Sequence, residues 1–194
     1  MTPEIRSFEY ALGLFAVLVG LAIADIALSV HRLIRHRSSV QWDPLALMAT
    51  LYAFLIIVGI WFDFWSIRDI SETRSYFFYL SIVGELFVVF LLAAASLPDE
   101  PHAGADLREY YKSNRRYFWA LVLLFQCMYY AHWLYFQFTR TLENPDLARE
   151  LVLGTTAIAA PIILLCTRSR LVHYIVLAVL IVATLWDRAR YSLT

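Results

Sequence analysis

Charged side chains and enzyme motifs are both scarce in this sequence. Charged residues make up only 16% of its 194 residues, whereas soluble domains carry about 25%. The chain has no His-Glu-x-x-His, Gly-x-Ser-x-Gly or Cys-x-x-Cys motif and no glycine-rich phosphate loop. These absences exclude the zinc peptidases, serine hydrolases, thiol oxidoreductases and P-loop enzymes that such motifs define. An enzyme is therefore the least favoured interpretation of the chain.

Lysine and cysteine are nearly absent as well. The only lysine, Lys112, lies between apolar segments, so no lysine inside a segment can form a Schiff base with retinal. The two cysteines, Cys127 and Cys166, lie inside apolar segments, and we interpret them as small core residues rather than as a disulfide. The formal net charge is zero, which gives no overall field to attract nucleic acid. The sequence thus predicts no cofactor, no metal site and no nucleic-acid partner.

Long apolar segments are what the chain has in abundance. Hydrophobic residues reach 61%, against about 45–50% in soluble domains. They concentrate in six segments, at residues 8–33, 44–67, 76–97, 117–138, 147–166 and 171–186. A helix needs about 20 apolar residues to cross a bilayer, which the first four segments provide and the shorter last two approach as a tilted hairpin. The sequence predicts one all-α domain over residues 1–194, an integral membrane bundle of about six transmembrane helices.

The distribution of basic residues predicts an orientation. Nine arginine or lysine residues lie in the first, third and fifth connections, and seven lie at the termini and in the other two connections. Connections rich in basic residues stay on the cytoplasmic side of a membrane. This pattern favours an arrangement with both termini outside.

The longest connection, residues 98–116, predicts a short interfacial helix before helix four. Asp106 followed by Glu109 is typical of a capping box at a helix start. We expect Leu107, Tyr110 and Tyr111 to face the bilayer. Beside them lie four basic residues expected to contact anionic lipid headgroups at the inner leaflet, namely Arg108, Lys112, Arg115 and Arg116. The alternative is that this helix only anchors helix four.

Glu85 lies near the centre of the third apolar segment. A carboxyl group at that depth costs several kcal/mol unless it is protonated, paired or in contact with water. Other titratable residues are predicted at outer and inner depths of helices one, two and four. Together they suggest a path for protons or small cations, formed by Glu85, Asp25, His132, Glu9, Asp63 and His31.

The carboxylates of this path also have structural interpretations. Asp63 is expected to form an interfacial salt bridge with Arg68. Asp25 is placed to pair with Arg32, two turns further along the same helix face. Glu85 itself is equally consistent with a buried hydrogen bond to another helix.

The remaining titratable residues have structural interpretations too. His132 suits a hydrogen bond between helices. His31 and His173 lie at segment ends beside arginines, where we expect contacts with lipid headgroups. Glu9 lies at the start of helix one, where its charge favours the helix dipole.

Small residues recur at every fourth position of helix one. Ala16, Gly20 and Ala24 form a small-xxx-small stripe, which is typical of a contact surface between transmembrane helices. We expect this stripe to pack against another helix or a second copy of the chain, and therefore predict a homo-oligomer.

Two stretches resemble uncharacterised bacterial multi-pass membrane proteins. The first combines Leu-Pro at 97–98, Asp-Leu-Arg-Glu-Tyr-Tyr at 106–111 and Arg-Arg-Tyr-Phe-Trp at 115–119. The second runs from Gly-Leu-Ala at 20–22 to Trp-Asp at 42–43 and is similar to the first hairpin of those proteins. The resemblance covers about the first 120 residues. It implies a bacterial inner-membrane protein without an assigned activity, so it identifies no functional residue.

Two functions remain open from the sequence. The first is a small channel or transporter for protons or cations that uses intramembrane carboxylates. The second is a membrane subunit without transport activity, which senses or binds lipid or a partner protein.

Overall fold

The residues that the structure describes form six helices and no strand, and the prediction of an all-α fold is confirmed. A computed structural model describes residues 3–66, 76–99, 104–139 and 147–189. In chain order the helices are α1 (Pro3–Arg35), α2 (Pro44–Ser66), α3 (Tyr76–Ser96), α4 (Leu107–Thr139), α5 (Leu147–Cys166) and α6 (Arg170–Arg188). The side chain of Glu9 and the whole of Arg68, both of which entered the sequence predictions, lie outside the described residues.

The helices begin at the residues that local chemistry favours. Pro44 occupies the first position of α2, where the missing proline N–H leaves no hydrogen bond unmade. The Asp106 carboxylate accepts hydrogen bonds from the backbone N–H groups of Arg108 at 2.8 Å and Glu109 at 3.2 Å. The predicted helix start at Asp106 is therefore confirmed.

The helix that starts after Asp106 differs from the sequence prediction in its extent. It continues through helix four as one element of 33 residues, because no proline or glycine interrupts it. Its first turn also faces protein rather than lipid, contrary to expectation. Leu107 and Tyr111 are buried, and the Tyr110 hydroxyl donates to the carbonyl of Leu97 at 3.0 Å. These contacts fix the start of α4 against the end of α3.

Helix α2 lies at the centre of the bundle. It packs against α1, α3, α4 and α6, while α5 completes the bundle by packing on α4 and α6. The buried core residues of α2 include Leu45, Tyr52, Ile57 and Phe64, which are spread along its whole length. A helix that is apolar on all sides suits such a central position.

The helices have the lengths and compositions of a polytopic membrane protein. Four helical stretches are long and apolar enough to cross a bilayer, namely Leu12–Arg35, Pro44–Phe64, Tyr76–Ser96 and Arg170–Arg188. A fifth apolar stretch, Leu151–Cys166, is shorter. Helix α4 is longer than any of these but carries basic residues in its first turns and polar residues further on. That α4 and α5 also cross the bilayer stays a prediction.

The small-residue stripe of α1 lies on the surface of the bundle. Gly20 and Ala24 are exposed and Ala16 is half-buried, because α1 turns a different face, with Phe15 and Ala22, towards the core. Packing of the stripe against a second copy of the chain stays a prediction.

The expectation for the cysteines was wrong. Cys127 and Cys166 are free thiols, and both are exposed on the outside of the bundle rather than packed in its core. Each helix turns larger apolar side chains inward at these depths, such as Phe125 on α4 and Leu164 on α5.

Candidate functional site

Glu85 lies inside the bundle, in the middle of α3. Nine residues precede it in the helix and eleven follow, which places it about 14 Å from one end and about 16 Å from the other. Its side chain is only 3% exposed. A carboxyl group so far from either end of an apolar helix needs a specific partner.

That partner is His132 of α4. The Oε2 atom of Glu85 lies 2.9 Å from Nδ1 of His132. The other ring nitrogen, Nε2, lies 2.8 Å from the hydroxyl of Ser81, one turn before Glu85 on α3. The Ser81 hydroxyl in turn donates to the backbone carbonyl of Phe78 at 2.7 Å. The predicted hydrogen bond of His132 between helices is therefore confirmed.

This chain of hydrogen bonds restricts where the protons of Glu85 and His132 can lie. Because Ser81 uses its only hydrogen on a carbonyl, its oxygen must accept from Nε2–H of His132. Nδ1 of His132 then has two possible states. It either accepts a hydrogen bond from a neutral Glu85, or it carries a proton and donates a hydrogen bond to an ionised Glu85. In both states one proton lies between Glu85 and His132, and the pair has no net charge.

The second carboxyl oxygen of Glu85, Oε1, is buried and has no hydrogen-bond partner among the described residues. Glu85 and His132 line a cavity of about 230 Å³ whose walls also include Asp63 and the aromatic rings of Tyr129 and Trp133. A water molecule occupies roughly 30 Å³ in the liquid, so the cavity has room for several.

At the far end of this cavity, Asp63 joins three helices. Its carboxylate forms a two-pronged ion pair with the Arg188 guanidinium of α6, in which Nη2 and Oδ2 are 2.8 Å apart. The Tyr129 hydroxyl of α4 donates to the same Oδ2 atom at 3.1 Å. The guanidinium fits because Gly59 leaves room for it, since a Cβ atom at this position would lie 3.1 Å from Arg188 Nη2. Asp63 therefore pairs with Arg188, while the expected partner Arg68 lies outside the described residues.

Three of the six predicted path residues thus meet around one cavity, and two others do not. Asp63, Glu85 and His132 line it, whereas Asp25 and His31 do not. On α3 the buried side chains that follow Glu85 are apolar as far as Ala95, with Val89, Leu92 and Ala93 among them. In the described residues the cavity therefore reaches Glu85 from the Asp63 end of the bundle only.

Asp25 lies apart from this cavity and lacks the expected ion pair. In the described residues no ion pair joins it to Arg32, because the Arg32 guanidinium donates to the backbone carbonyl of Asp99 at 2.5 Å. The Oδ2 atom of Asp25 is buried without a hydrogen-bond partner in the same part of the chain. His31 is exposed on the surface of α1.

His173 was expected at the lipid headgroups, and this expectation was wrong. Its side chain is buried, and Nε2–H donates to the carbonyl of Thr167 at 3.2 Å. Nδ1 accepts from the hydroxyl of Tyr111 at 2.7 Å, and that hydroxyl accepts from Trp119 Nε1–H at 3.0 Å. Burial raises the pKa of Tyr111, which precedes the predicted span 117–138, to about 12, so its phenol stays protonated and donates.

A larger cavity, with a basic lining, lies near this network. It has a volume of about 730 Å³ between the start of α4 and the turn that joins α5 to α6. Its basic lining residues are Arg108, Lys112, Arg115, Arg116, Arg168 and Arg170. The four predicted headgroup residues are thus among them. Sequence reasoning placed Arg168 and Arg170 on the same side of the membrane but gave no reason to join them to the first four.

Metal binding finds no support in the site geometry. In residues 3–66, 76–99, 104–139 and 147–189, no group of three or more His, Cys, Asp or Glu side chains is arranged to hold a metal ion. The chemistry available near Glu85 is instead proton exchange between a carboxyl group and an imidazole.

Comparison of the chain with protein-family models, with curated proteins and with solved structures finds no match. The resemblance of its first 120 residues to uncharacterised bacterial membrane proteins therefore stays a prediction. The fold, the cavity beside Glu85 and the basic cavity at the start of α4 are the features that bear on its function.

Proposed function

We propose that this protein transports protons, or cations coupled to protons, across a membrane, with Glu85 and His132 as the central binding pair. One observation carries the proposal. The buried Glu85 carboxyl shares a proton with His132 on one oxygen and, among the described residues, has no hydrogen-bond partner on the other, while it lines a cavity that also contains the Asp63 carboxylate.

The pair suits proton exchange because both of its protonation states are neutral. Moving the shared proton from Glu85 to His132 changes no net charge, which keeps the electrostatic cost of the step low inside a bilayer. The unoccupied oxygen of Glu85 gives a second proton or a small cation a place to bind. Chains of carboxylates and imidazoles are the usual means by which membrane proteins relay protons.

The geometry supports a carrier rather than an open pore. The cavity reaches Glu85 from the end of the bundle where Asp63 and Arg188 form their ion pair. Buried apolar residues, including Leu92, follow Glu85 on α3 towards the other end. The next buried polar contact that α3 makes on that side joins the Thr50 hydroxyl to the Ser96 carbonyl, about 16 Å along α3 from Glu85. Release to that side requires a second conformation, as in alternating access.

We place this carrier in the inner membrane of a bacterium, with both termini outside. This placement rests on the distribution of basic residues and on the sequence resemblance, and it puts the Asp63 end of the cavity at the outer surface. Protons would then enter from the outer side and reach Glu85 through the cavity.

The test is proton flux in liposomes that contain the purified protein. Glu85→Gln is the informative variant, because the Gln amide can still donate to Nδ1 of His132 but cannot release a proton. We expect it to fold normally and to lose flux to the level of empty liposomes. Gln126→Met is the matched control, since it removes another hydrogen bond between helices, to the Tyr52 hydroxyl at 3.3 Å, and should keep flux.

The outcomes separate the two open functions. If Glu85→Gln retains full flux, Glu85 is not on the transport route and the proposal fails. If the folded wild-type protein shows no flux of protons or of cations, the second function gains support. The protein would then be a sensing or interaction subunit that works without transport.

A further inference from the structure

We propose that the basic cavity between α4 and the α5–α6 turn binds a phosphate-bearing anion. The shared chemistry is a phosphate group with at least one negative charge, supplied by a lipid headgroup or by free phosphate. This proposal does not depend on transport through Glu85, because the two cavities are lined by different residues.

The charges that line this cavity do not balance. Its lining has six basic side chains and two carboxylates, those of Asp106 and Glu109. Glu109 is paired with Lys112 at 3.1 Å, and the Asp106 carboxylate caps α4. The positive charges of the lining therefore exceed its negative ones by four, or by three once Asp43 outside the lining compensates Arg170, and an anion is the ligand that would compensate them.

Most of the excess charge comes from arginines that have no carboxylate partner. In the described part of the chain, no ion pair holds Arg108, Arg116 or Arg168. Arg115 donates to the neutral carbonyl of Thr167, so its charge also stays uncompensated. Arg170 differs, because it pairs with Asp43 at 2.5 Å.

The bonding of Arg115 also gives the cavity its shape. By joining α4 to Thr167 in the α5–α6 turn, it brings Arg168 across from the basic residues of α4. Arginines that converge from two chain segments offer several N–H donors to one phosphate, which is the arrangement that binds phosphate best. The volume of about 730 Å³ falls within the usual range of ligand sites.

The surroundings favour a phosphate that belongs to a lipid. Tyr117 follows Arg116 and Leu171 follows Arg170, and both apolar side chains are exposed, at 49% and 67%. An acyl chain could lie along this surface while the headgroup phosphate enters the cavity. Basic pockets at the ends of membrane helices commonly hold anionic lipids in this way.

The experiment measures binding to the full-length protein in a neutral detergent. The probes are phosphatidylglycerol, phosphatidylcholine and inorganic phosphate, and the readouts are native mass spectrometry for the lipids and calorimetric titration for phosphate. The test variant is Arg116→Gln with Arg168→Gln. The matched control is Arg35→Gln with Arg37→Gln, which removes two exposed charges near the same end of the bundle but outside the cavity.

We expect phosphatidylglycerol to bind more tightly than phosphatidylcholine. The test variant should weaken that binding at least about tenfold, because each charged hydrogen bond lost is worth about that factor. The control variant should bind as the wild type does. Tight binding of inorganic phosphate, also lost in the test variant, would support the site and identify free anions as its ligand.

Two results would overturn the proposal. One is equal affinity of the wild type and the test variant for every probe. The other is equal weakening by the test variant and the control, because binding would then reflect the general positive charge of that surface and not the cavity.

Discussion

Gly154 offers a sharp test of how α4 and α5 pack. A Cβ atom at this position would lie 2.2 Å and 2.5 Å from two carbons of the Tyr130 ring. Carbon atoms in contact are normally about 3.5–4.0 Å apart. Gly154→Ala would therefore force the ring or the helix to move by more than 1 Å. The ring has little freedom to move, because it stacks on Trp133 with centroids 5.3 Å apart and planes 10° from parallel.

Two opposing terms set the size of this effect. Overpacking in a tightly packed interior costs about 1–3 kcal/mol, while replacing glycine by alanine inside a helix gains about 1 kcal/mol. Because approaches of 2.2 Å and 2.5 Å are a severe overlap, the upper end of the overpacking cost applies, and the net expectation is a loss of about 2 kcal/mol in the free energy of unfolding. For a chain of this length each kcal/mol shifts the melting temperature by roughly 2–4 °C, so we expect a decrease of roughly 4–8 °C.

The assay is thermal unfolding of the purified protein in detergent, with Gly84→Ala as the matched control. A Cβ atom at Gly84 would meet the end of Met128 at 3.6 Å, an ordinary contact, so this variant should melt at or above the wild-type temperature. Adding Tyr130→Leu to Gly154→Ala should recover part of the loss. A Gly154→Ala protein as stable as wild type would refute the packing of α5 against the Tyr130 ring.

Two further predictions concern the surface of α1 and the buried phenol of Tyr111. Gly20→Leu should leave the fold intact, since nothing lies within 4 Å of a Cβ there. If the small-residue stripe joins two copies of the chain, this variant should reduce the particle mass measured by light scattering. An unchanged mass would exclude that interface. The raised pKa of Tyr111, about 12, means that the folded protein holds this proton more tightly than the unfolded chain. The contribution of this phenol to stability should therefore be complete below pH 10 and be lost between pH 10 and 12, by up to about 1.4 kcal/mol per pH unit. Tyr111→Phe should make that decrease shallower in pH-dependent unfolding, and an identical slope would contradict the assignment.

The helices could be predicted from the sequence because their signals are local. Apolar segments of about 20 residues predict helices whichever neighbours they have, and the structure places α2, α3 and α5 within about one residue of the predicted ends. Asp106 was found because a cap involves only residues next to it in the chain. The surroundings of Tyr111 were missed, since they depend on His173, 62 residues away.

The candidate site was predictable in its members but not in its pairings. Glu85 and His132 stand out because polar residues are rare in apolar segments. Their contact depends on the rotation and the relative shift of α3 and α4, which hydropathy does not determine. Asp63 shows the same limit, since its ion pair with Arg188 joins residues 125 positions apart, which the sequence did not indicate.

One pairing pattern links the fold to the proposed transport. Asp43, just before α2, pairs with Arg170 at the start of α6, and Asp63 near the end of α2 pairs with Arg188 at the end of α6. The two helices therefore run parallel. Along α2 the two carboxylates are 20 residues apart, about 30 Å of helix, which matches the thickness of the bilayer hydrocarbon.

Ion pairs at both ends fix the position of α6 relative to α2. Glu85 and His132 lie instead on α3 and α4, and the cavity beside them is walled on its other side by α2 residues such as Asp63. A change that opens the opposite side of Glu85 therefore meets least resistance if α3 and α4 move against α2 and α6, since such a motion leaves both ion pairs between α2 and α6 intact. The hydrogen bond from Tyr129 to Asp63 crosses this boundary, and it is one of the contacts that such a motion must break.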